Sequence, residues 1–165
     1  MVRACLALVL WLAVPMSALA DPPGGSQAIQ IKGAVAHPRS LTAADLGKEP
    51  QTTETVSQHT GHGELTGSFT GVTLWTLLDE AGLALDAAKK NELIRHVVVV
   101  TGTDGYSAVL SLAEIAPEFG NDQAIVAIAQ DGKPINGRNG PVRLIVPTDK
   151  TAGRDVGSIA TIEVK

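Results

Sequence analysis

Apolar residues alternate with polar ones, or form short runs, along most of the chain, and this pattern predicts a series of strands. An apolar residue at every second position places one face of a strand in a core and the other in solvent. The segments of this kind are AIQIKGAV (28–35), QTTETVSQH (51–59), RHVVVVTGTDG (95–105), YSAVLS (106–111), QAIVAIAQDGKPI (123–135), VRLIVP (142–147) and SIATIEVK (158–165). Asp104–Gly105 and Asp131–Gly132 are typical hairpin turns between such strands.

Helical spacing of apolar residues is confined to short stretches. The clearest helix pattern comprises Val72, Leu74, Leu77, Leu78 and Ala81. Thr73 can cap the start of this helix, and Gly82 stands where a C-terminal glycine is favoured. Thr42 can cap a second short helix, and residues 112–120 predict a third. Because strands outnumber helices and are linked by turns, we predict an α+β fold with mixed β-sheets and short helices.

The stretch from His59 to Gly67 is rich in glycine and polar residues, and we interpret it as a loop that receives a ligand. His59 and His62 could form hydrogen bonds with an organic ligand. The alternative is a zinc or copper site completed by Glu64, since neutral imidazoles and carboxylates bind these metals. The sequence offers no second histidine pair to complete such a site. We therefore favour either solvated loop histidines or a histidine hydrogen-bonded to an organic ligand, and we expect no bound metal.

A second unusual stretch, between residues 133 and 154, concentrates positive charge. Its basic residues are Lys133, Arg138, Arg143, Lys150 and Arg154, and only Asp149 opposes them. Arginine suits planar or phosphate acceptors because its guanidinium donates two parallel hydrogen bonds. The alternative is a set of solvated loop charges. Arg143 shares a predicted strand face with Ile145, so we expect this arginine to have a partner on a partly buried face.

The N-terminal residues predict export. Arg3, the apolar run LALVLWLAV (6–14) and the small residues at 18–20 form the pattern of a secretory signal peptide. We expect cleavage after Ala20, a flexible leader at 21–28, a single domain at 29–165 and a periplasmic location. Cys5 is the only cysteine, so the mature chain would have no thiolate ligand or cysteine nucleophile. The formal net charge of −4 argues against nucleic acid as a partner.

Five segments, taken in order, resemble a known family. They are IKGAVAHPRSLTAADL (31–46), GSFTGVTLWTLLDEAGL (67–83), VVVVTGTDGYSAVLSLAEI (97–115), GPVRLIVP (140–147) and VGSIATIEV (156–164). Together they resemble the oxidoreductase molybdopterin-binding domain, which has the sulfite-oxidase fold. The resemblance spans almost all of the predicted domain and rests on the order and spacing of the segments rather than on one motif.

The chain departs from the enzymes of this family at the metal ligand. In those enzymes a cysteine ligates molybdenum through its thiolate, whereas the corresponding stretch TVSQHTGHGELTG (55–67) contains no cysteine. Serine or histidine does not replace it simply, because the soft thiolate sets the electronic properties of the metal. The resemblance therefore implies a pterin pocket without molybdenum chemistry. Short, exported, cysteine-free relatives bind simple pterins and regulate a membrane enzyme of cyclic-di-GMP turnover from the periplasmic side.

The resemblance thus favours a non-catalytic sensor that binds a pterin of the tetrahydropterin type, with molybdopterin as the alternative cofactor. Its protein partner would be the periplasmic domain of a membrane signalling protein. Two other functions stay open: a molybdopterin-dependent oxidoreductase with a non-cysteine ligand, and an adaptor whose pocket is vestigial. We assign no catalytic residue. The expected ligand-binding residues are His59, His62, Asp104, Tyr106, Arg138, Arg143, Lys150 and Arg154.

Overall fold

The structure is a computed structural model that describes residues 27–86 and 88–165, and these residues form two β-sheets with a few short helices. The predicted signal peptide and all but the last two residues of the predicted leader lie outside the described residues. The predicted α+β class is confirmed. Within the described residues, no helix is long and apolar enough to cross a membrane.

The first sheet places the first and last strands of the domain side by side. Across the sheet, its strands are β2 (Arg39–Leu41), β1 (Ile29–Gly33), β10 (Ile159–Val164), β5 (Val97–Gly102) and β6 (Ser107–Ser111). Strands β1 and β10 are parallel, and all other neighbours are antiparallel. The hairpin predicted at Asp104–Gly105 joins β5 to β6, and Gly105 has the left-handed backbone that favours glycine, with φ of 83°.

The second sheet carries the longest strands. In order, its strands are β3 (Thr52–Thr60), β4 (Gly63–Thr73), β7 (Ile125–Gln130) and β8 (Lys133–Pro134), and β9 (Arg143–Ile145) also pairs with β7. All of these pairings are antiparallel. The hairpin predicted at Asp131–Gly132 joins β7 to β8. Both turn residues have positive φ, as a tight hairpin of this kind requires.

The helices are short, two of them begin at the predicted threonine caps, and the third ends at Ile115, within the predicted range 112–120. They are α1 (Ala43–Leu46), α2 (Leu74–Glu80) and α3 (Leu112–Ile115), with 3₁₀ turns at Glu92–Arg95, Gly137–Asn139 and Ala152–Arg154. The Thr73 hydroxyl accepts the N–H of Thr76 at 3.1 Å, and the Thr42 hydroxyl accepts the N–H of Asp45 at 3.2 Å. Gly82 follows α2 with φ of 69°, so both ends of this helix were predicted correctly.

The apolar residues form two clusters. The main cluster combines residues of both sheets with residues of all three helices, and the partly buried Trp75 packs against it. The second cluster comprises Val56, Phe69, Ile125, Ala127, Ile135 and Ile145. Strand β9 contributes Leu144 to the main cluster and Ile145 to the second, as its predicted alternation requires. Arg143, on the same face as Ile145, therefore lies at the edge of the second cluster.

The stretch from His59 to Gly67 is not a loop, and this prediction was wrong. Strands β3 and β4 pair from Thr52 opposite Gly71 to Thr60 opposite Gly63, which leaves only Gly61 and His62 in the turn. The composition was misleading because, near the turn, the face that packs inward carries glycine or polar residues at Gln58, Thr60, Gly63 and Gly67, so few apolar residues remain to alternate with the hydroxyl residues of the exposed face. Pairing with a long neighbouring strand outweighs local composition.

Replacing Gly71 with alanine should destabilise the second sheet. A Cβ atom at this position would lie 2.1 Å from the carbonyl oxygen of Val126 on β7, and that backbone cannot move without disturbing the β4–β7 pairing. We expect a loss of about 1–3 kcal/mol in the free energy of unfolding, measured by chemical denaturation. Gly61→Ala is the matched control, because no atom lies within 4 Å of its Cβ position. Equal stability of the two variants would contradict this account of the β4–β7 contact.

Candidate ligand-binding site

A cavity of about 550 Å³ lies where turns of the two sheets meet, and we call it the main pocket. Its size falls within the range of about 300–1,000 Å³ that is usual for small-molecule sites. It is lined by His62, Thr103, Asp104, Tyr106, Arg138, Asn139, Asp155, Gly157 and Ser158. The structure thus brings together four of the eight predicted residues, namely His62, Asp104, Tyr106 and Arg138. Their role in binding stays a prediction.

Ser158 holds the walls of the main pocket together. Its hydroxyl donates to the carbonyl oxygen of Gly140 at 2.6 Å, and the carbonyl oxygen of Arg138 lies within hydrogen-bonding distance of the same hydroxyl at 3.0 Å. Its carbonyl oxygen accepts the N–H of Thr103 at 3.0 Å, and its own N–H donates to Asn139 at 3.2 Å. Ser158 adopts a positive φ of 46°, which is uncommon for a residue other than glycine. One residue therefore connects the β5–β6 turn to the segment that carries Arg138.

Asp104 and Tyr106 are set by the β5–β6 turn. The Asp104 carboxylate accepts the backbone N–H of Tyr106 at 3.0 Å, which fixes the turn. The Tyr106 hydroxyl donates to the carbonyl oxygen of Gly153 at 2.5 Å, and half of the residue stays exposed. The ring is thus held at both ends of the side chain while part of its surface faces the pocket.

Arg143 and Asp155 form an ion pair beside the main pocket. Nη2 of Arg143 lies 3.1 Å from Oδ2 of Asp155, and their side chains are only 13% and 2% exposed. The Arg143 guanidinium also lies 5.7 Å from the centre of the Phe69 ring, within the range of a cation–π contact. The partner that the sequence analysis expected for Arg143 is therefore Asp155. Arg143 itself lines a smaller adjacent cavity of about 280 Å³, which shares Asn139 with the main pocket.

Burial dominates the ionisation of Asp155. Removing the carboxylate from water raises its pKa to about 6, although the positive charge of Arg143 and a hydrogen bond from the N–H of Val146 act in the opposite direction. The side chain thus changes charge close to neutral pH. This places an acid with an unusual pKa in the wall of the cavity, as is common at functional sites.

Arg154 forms ion pairs with two carboxylates and does not line the main pocket. It donates to Asp149 at 2.7 and 2.8 Å and to Glu114 at 3.0 Å. These hydrogen bonds raise the pKa of the Arg154 guanidinium, so it stays charged. The same 3₁₀ turn carries Gly153, the acceptor of the Tyr106 hydroxyl. Arg154 therefore braces the segment against which Tyr106 is held.

His59 and Lys150 lie away from the main pocket. His59 lines a third cavity of about 390 Å³, and its N–H donates to the carbonyl oxygen of Lys150 at 3.0 Å. Nδ1 of His59 lies 3.2 Å from Glu64, but both side chains are largely exposed, so this pair contributes little. The Lys150 residue is exposed. Among residues 27–86 and 88–165, no group of three or more His, Cys, Asp or Glu side chains could hold a metal ion.

The sequence analysis missed five of the nine lining residues: Thr103, Asn139, Asp155, Gly157 and Ser158. Asp155 directly follows the basic stretch, but nothing in its neighbours marks it as buried. Its burial depends on Arg143, 12 residues earlier, and on the packing of β9. Ser158 forms hydrogen bonds to backbone groups of residues far away in the sequence, and no local sequence pattern predicts such contacts. The only indication of a binding role in the sequence was that Asn139 and Ser158 are polar residues next to glycines.

Comparison with known proteins agrees with this architecture. The family described as the oxidoreductase molybdopterin binding domain matches residues 21–165. The chain belongs to this family. The resemblance seen in the sequence is thereby confirmed, and the protein is a molybdopterin-binding oxidoreductase-type domain.

A solved structure has the same fold as this member of the molybdopterin-binding family. It is the sulfane dehydrogenase SoxCD from Paracoccus pantotrophus, with a TM-score of 0.69 and 20% sequence identity. The match covers 88% of this chain and 39% of the SoxCD chain, so this chain spans well under half the length of that structure. At this identity the likeness concerns the fold alone. The curated proteins give no match.

The residues of the main pocket fit a pterin but not a thiolate-bound molybdenum. The β3–β4 hairpin, where the sequence resemblance predicts the metal ligand of the family's enzymes, contains no cysteine, and Cys5 is the only cysteine in the chain. The two histidines of this hairpin, His59 and His62, line different cavities. The pocket instead offers carboxylate, amide, hydroxyl and guanidinium groups, which suit the donors and acceptors of a heterocyclic ring.

The stability conferred by Asp155 should depend on pH. Its pKa is about 6 in the folded protein, against an ordinary value of 3.8, so the folded state holds the proton more tightly than the unfolded chain. The stabilisation that results from this raised pKa is fully present below the unfolded-state pKa of 3.8 and is lost as the pH rises through about 6. Between pH 7 and pH 4 the free energy of unfolding of the wild type should rise by about 2 kcal/mol relative to that of Asp155→Asn, which has no carboxyl group to titrate.

Chemical denaturation of both proteins across this range measures the difference. If the stability difference does not change with pH, or changes in the opposite direction, Arg143 outweighs burial and keeps Asp155 ionised.

Proposed function

We propose that the protein is an exported pterin-binding protein that performs no molybdenum chemistry. In this proposal it regulates a membrane signalling protein of cyclic-di-GMP turnover from the periplasmic side. The observation that carries the proposal is a pocket of ligand size, in a fold of the molybdopterin-binding family, that has no cysteine to ligate the metal. Loss of the thiolate removes the metal site and leaves the organic part of the cofactor to be recognised.

The chemistry of the pocket supports a pterin as the ligand. A pterin is a flat bicyclic ring with an amino group and a ring N–H as donors on one edge and a carbonyl oxygen as an acceptor. Asp155 and Asp104 can accept from the donors, while Arg138 and Asn139 can donate to the carbonyl. Tyr106 adds an aromatic surface at the pocket wall.

The proposed periplasmic location and the proposed membrane partner are supported by the sequence rather than by the pocket. The sequence pattern of residues 1–20 favours export, and lack of cysteine beyond residue 5 fits a domain that needs no disulfide. The regulatory role comes from the likeness to short, exported, cysteine-free members of the family. It requires a membrane partner whose periplasmic domain distinguishes the pterin-bound protein from the empty one.

A molybdopterin-dependent oxidoreductase is the second candidate, because the solved neighbour is named as a sulfane dehydrogenase. Analysis of protein purified from the native periplasm separates the two candidates. We expect a mature chain that begins at Asp21 by intact mass, a bound pterin by fluorescence after extraction, and no stoichiometric molybdenum by mass spectrometry. Molybdenum that survives dialysis at one atom per chain would replace our proposal with the oxidoreductase.

Arg138 should contribute directly to pterin binding. A hydrogen bond to a charged group contributes about 1.5–3 kcal/mol, so Arg138→Ala should weaken binding by roughly tenfold or more. Lys150→Ala is the matched control, because it removes a positive charge from the same basic stretch but outside the main pocket. Isothermal titration calorimetry with a tetrahydropterin measures both. Equal weakening in the two variants would indicate a general effect of charge rather than contact with Arg138.

The regulatory role can be tested in cells with the same pair of variants. Deletion of the gene should change the intracellular concentration of cyclic-di-GMP, and the wild-type or Lys150→Ala protein should restore it. Arg138→Ala, present at the same periplasmic level, should fail to restore it. If calorimetry shows that Arg138→Ala binds the pterin more weakly and this variant still restores the cyclic-di-GMP concentration, then regulation does not depend on pterin binding.

A further inference from the structure

Asp155 is a buried carboxylate in the wall of the main pocket, and no pattern in the sequence distinguishes it. Its side chain is only 2% exposed, yet it belongs to the residues that line the cavity. Asp104, the other carboxylate of the pocket, is exposed. A ligand that reaches Asp155 therefore meets a charge that water does not screen, whereas a contact with Asp104 competes with solvent.

The protein itself uses only part of the hydrogen-bonding capacity of Asp155. An ionised carboxylate offers about four lone-pair positions on its two oxygens. Oδ2 accepts from Nη2 of Arg143 at 3.1 Å, and Oδ1 accepts from the N–H of Val146 at 3.5 Å, which is longer than an ordinary hydrogen bond. Both oxygens thus keep acceptor capacity, and Arg143 supplies the positive charge that keeps the buried group in place.

Two acceptor oxygens on one carbon match two donors on neighbouring atoms of a ring. We propose that Asp155 makes the main pocket selective for a 2-amino-4-oxo-pyrimidine edge, in which an amino group and the adjacent ring N–H both donate to the carboxylate. This inference rests on the proposed function and deepens it, because it names the part of the pterin that is recognised. Rings with a carbonyl oxygen in place of the amino group direct an acceptor at the buried carboxylate and are rejected.

Guanine carries the same edge as a pterin, and the cavity of about 550 Å³ accommodates either ring. The shared chemistry is therefore the pair of adjacent donors, and the source of the ligand is decided by comparing the two ring systems. Rejection of a ring that lacks one donor is expected to be strong, because a site built around a buried polar group discriminates far better than an apolar pocket does.

The experiment compares matched ligands on the mature protein by calorimetry. The probes are pterin, lumazine (which has an oxygen in place of the 2-amino group), 3-methylpterin (which lacks the ring N–H) and guanosine. The wild type should bind pterin at least about 100-fold more tightly than either lumazine or 3-methylpterin. Pterin should also bind more tightly than guanosine if the proposed function is right.

Three variants assign the selectivity to a residue. In Asp155→Asn, the amide presents one acceptor and one donor, so the pterin-to-lumazine affinity ratio should fall by at least about tenfold. Asp79→Asn, which removes the charge of an exposed aspartate on α2 outside the main pocket, should keep the wild-type ratio, and Asp104→Asn tests the other carboxylate of the pocket. A ratio measured within one protein is independent of the fraction of that protein that is folded. If Asp155→Asn does not fold, the wild-type comparison of pterin with 3-methylpterin and lumazine still tests recognition of the edge.

The outcomes separate the inference from the proposed function. Pterin binding without discrimination against lumazine and 3-methylpterin overturns the role of Asp155 and leaves pterin binding in place. A reduced ratio in Asp104→Asn, with an unchanged ratio in Asp155→Asn, also overturns it. Tighter binding of guanosine with the same dependence on Asp155 supports the recognition and overturns the pterin assignment. No binding of any of the four probes overturns both.

Discussion

The ion pair between Arg143 and Asp155 is the constraint around which the candidate site is built. Arg143 lies on β9 of the second sheet, and Asp155 lies in the segment that leads to β10 of the first sheet. The pair therefore joins the two sheets, with the guanidinium against the Phe69 ring. Loss of one partner leaves an uncompensated buried charge, which costs much more than an exposed pair contributes. A polar interaction of this cost in the wall of a cavity is more typical of function than of stability.

The residues around this pair lie on short connections rather than on the strands themselves. Two tight turns, a 3₁₀ turn and the segment before β10 supply most of the lining, and Ser158 and Arg154 fix these connections to one another. Binding residues are often carried on loops that a rigid scaffold positions. Here the scaffold is the pair of sheets, and the polar side chains of the loops give the pocket both donors and acceptors.

The β3–β4 hairpin illustrates how far local composition can be used. Its glycines and hydroxyl residues predicted a loop around His59 and His62, but the two strands pair along their full length. Periodicity fails there because the inward face near the turn carries glycine and polar residues at positions where apolar side chains are expected. His59 lies on β3 and lines the third cavity, whereas His62 lies in the two-residue turn and lines the main pocket. The lack of a cysteine thiolate in this stretch was nevertheless evident from the sequence.

The sequence alone determined the features that depend on neighbouring residues: most of the strands, the two glycine-containing hairpins, the threonine caps, the family and the missing cysteine. Local periodicity and capping chemistry reflect local backbone geometry, so they can be read from a few consecutive positions. Only the tertiary structure decided which of the basic residues meet carboxylates. Arg143 and Arg154 are paired, Arg138 lines the main pocket, and Asp155 is buried. Burial and ion pairing depend on elements brought together from distant parts of the chain, and no local pattern encodes that proximity.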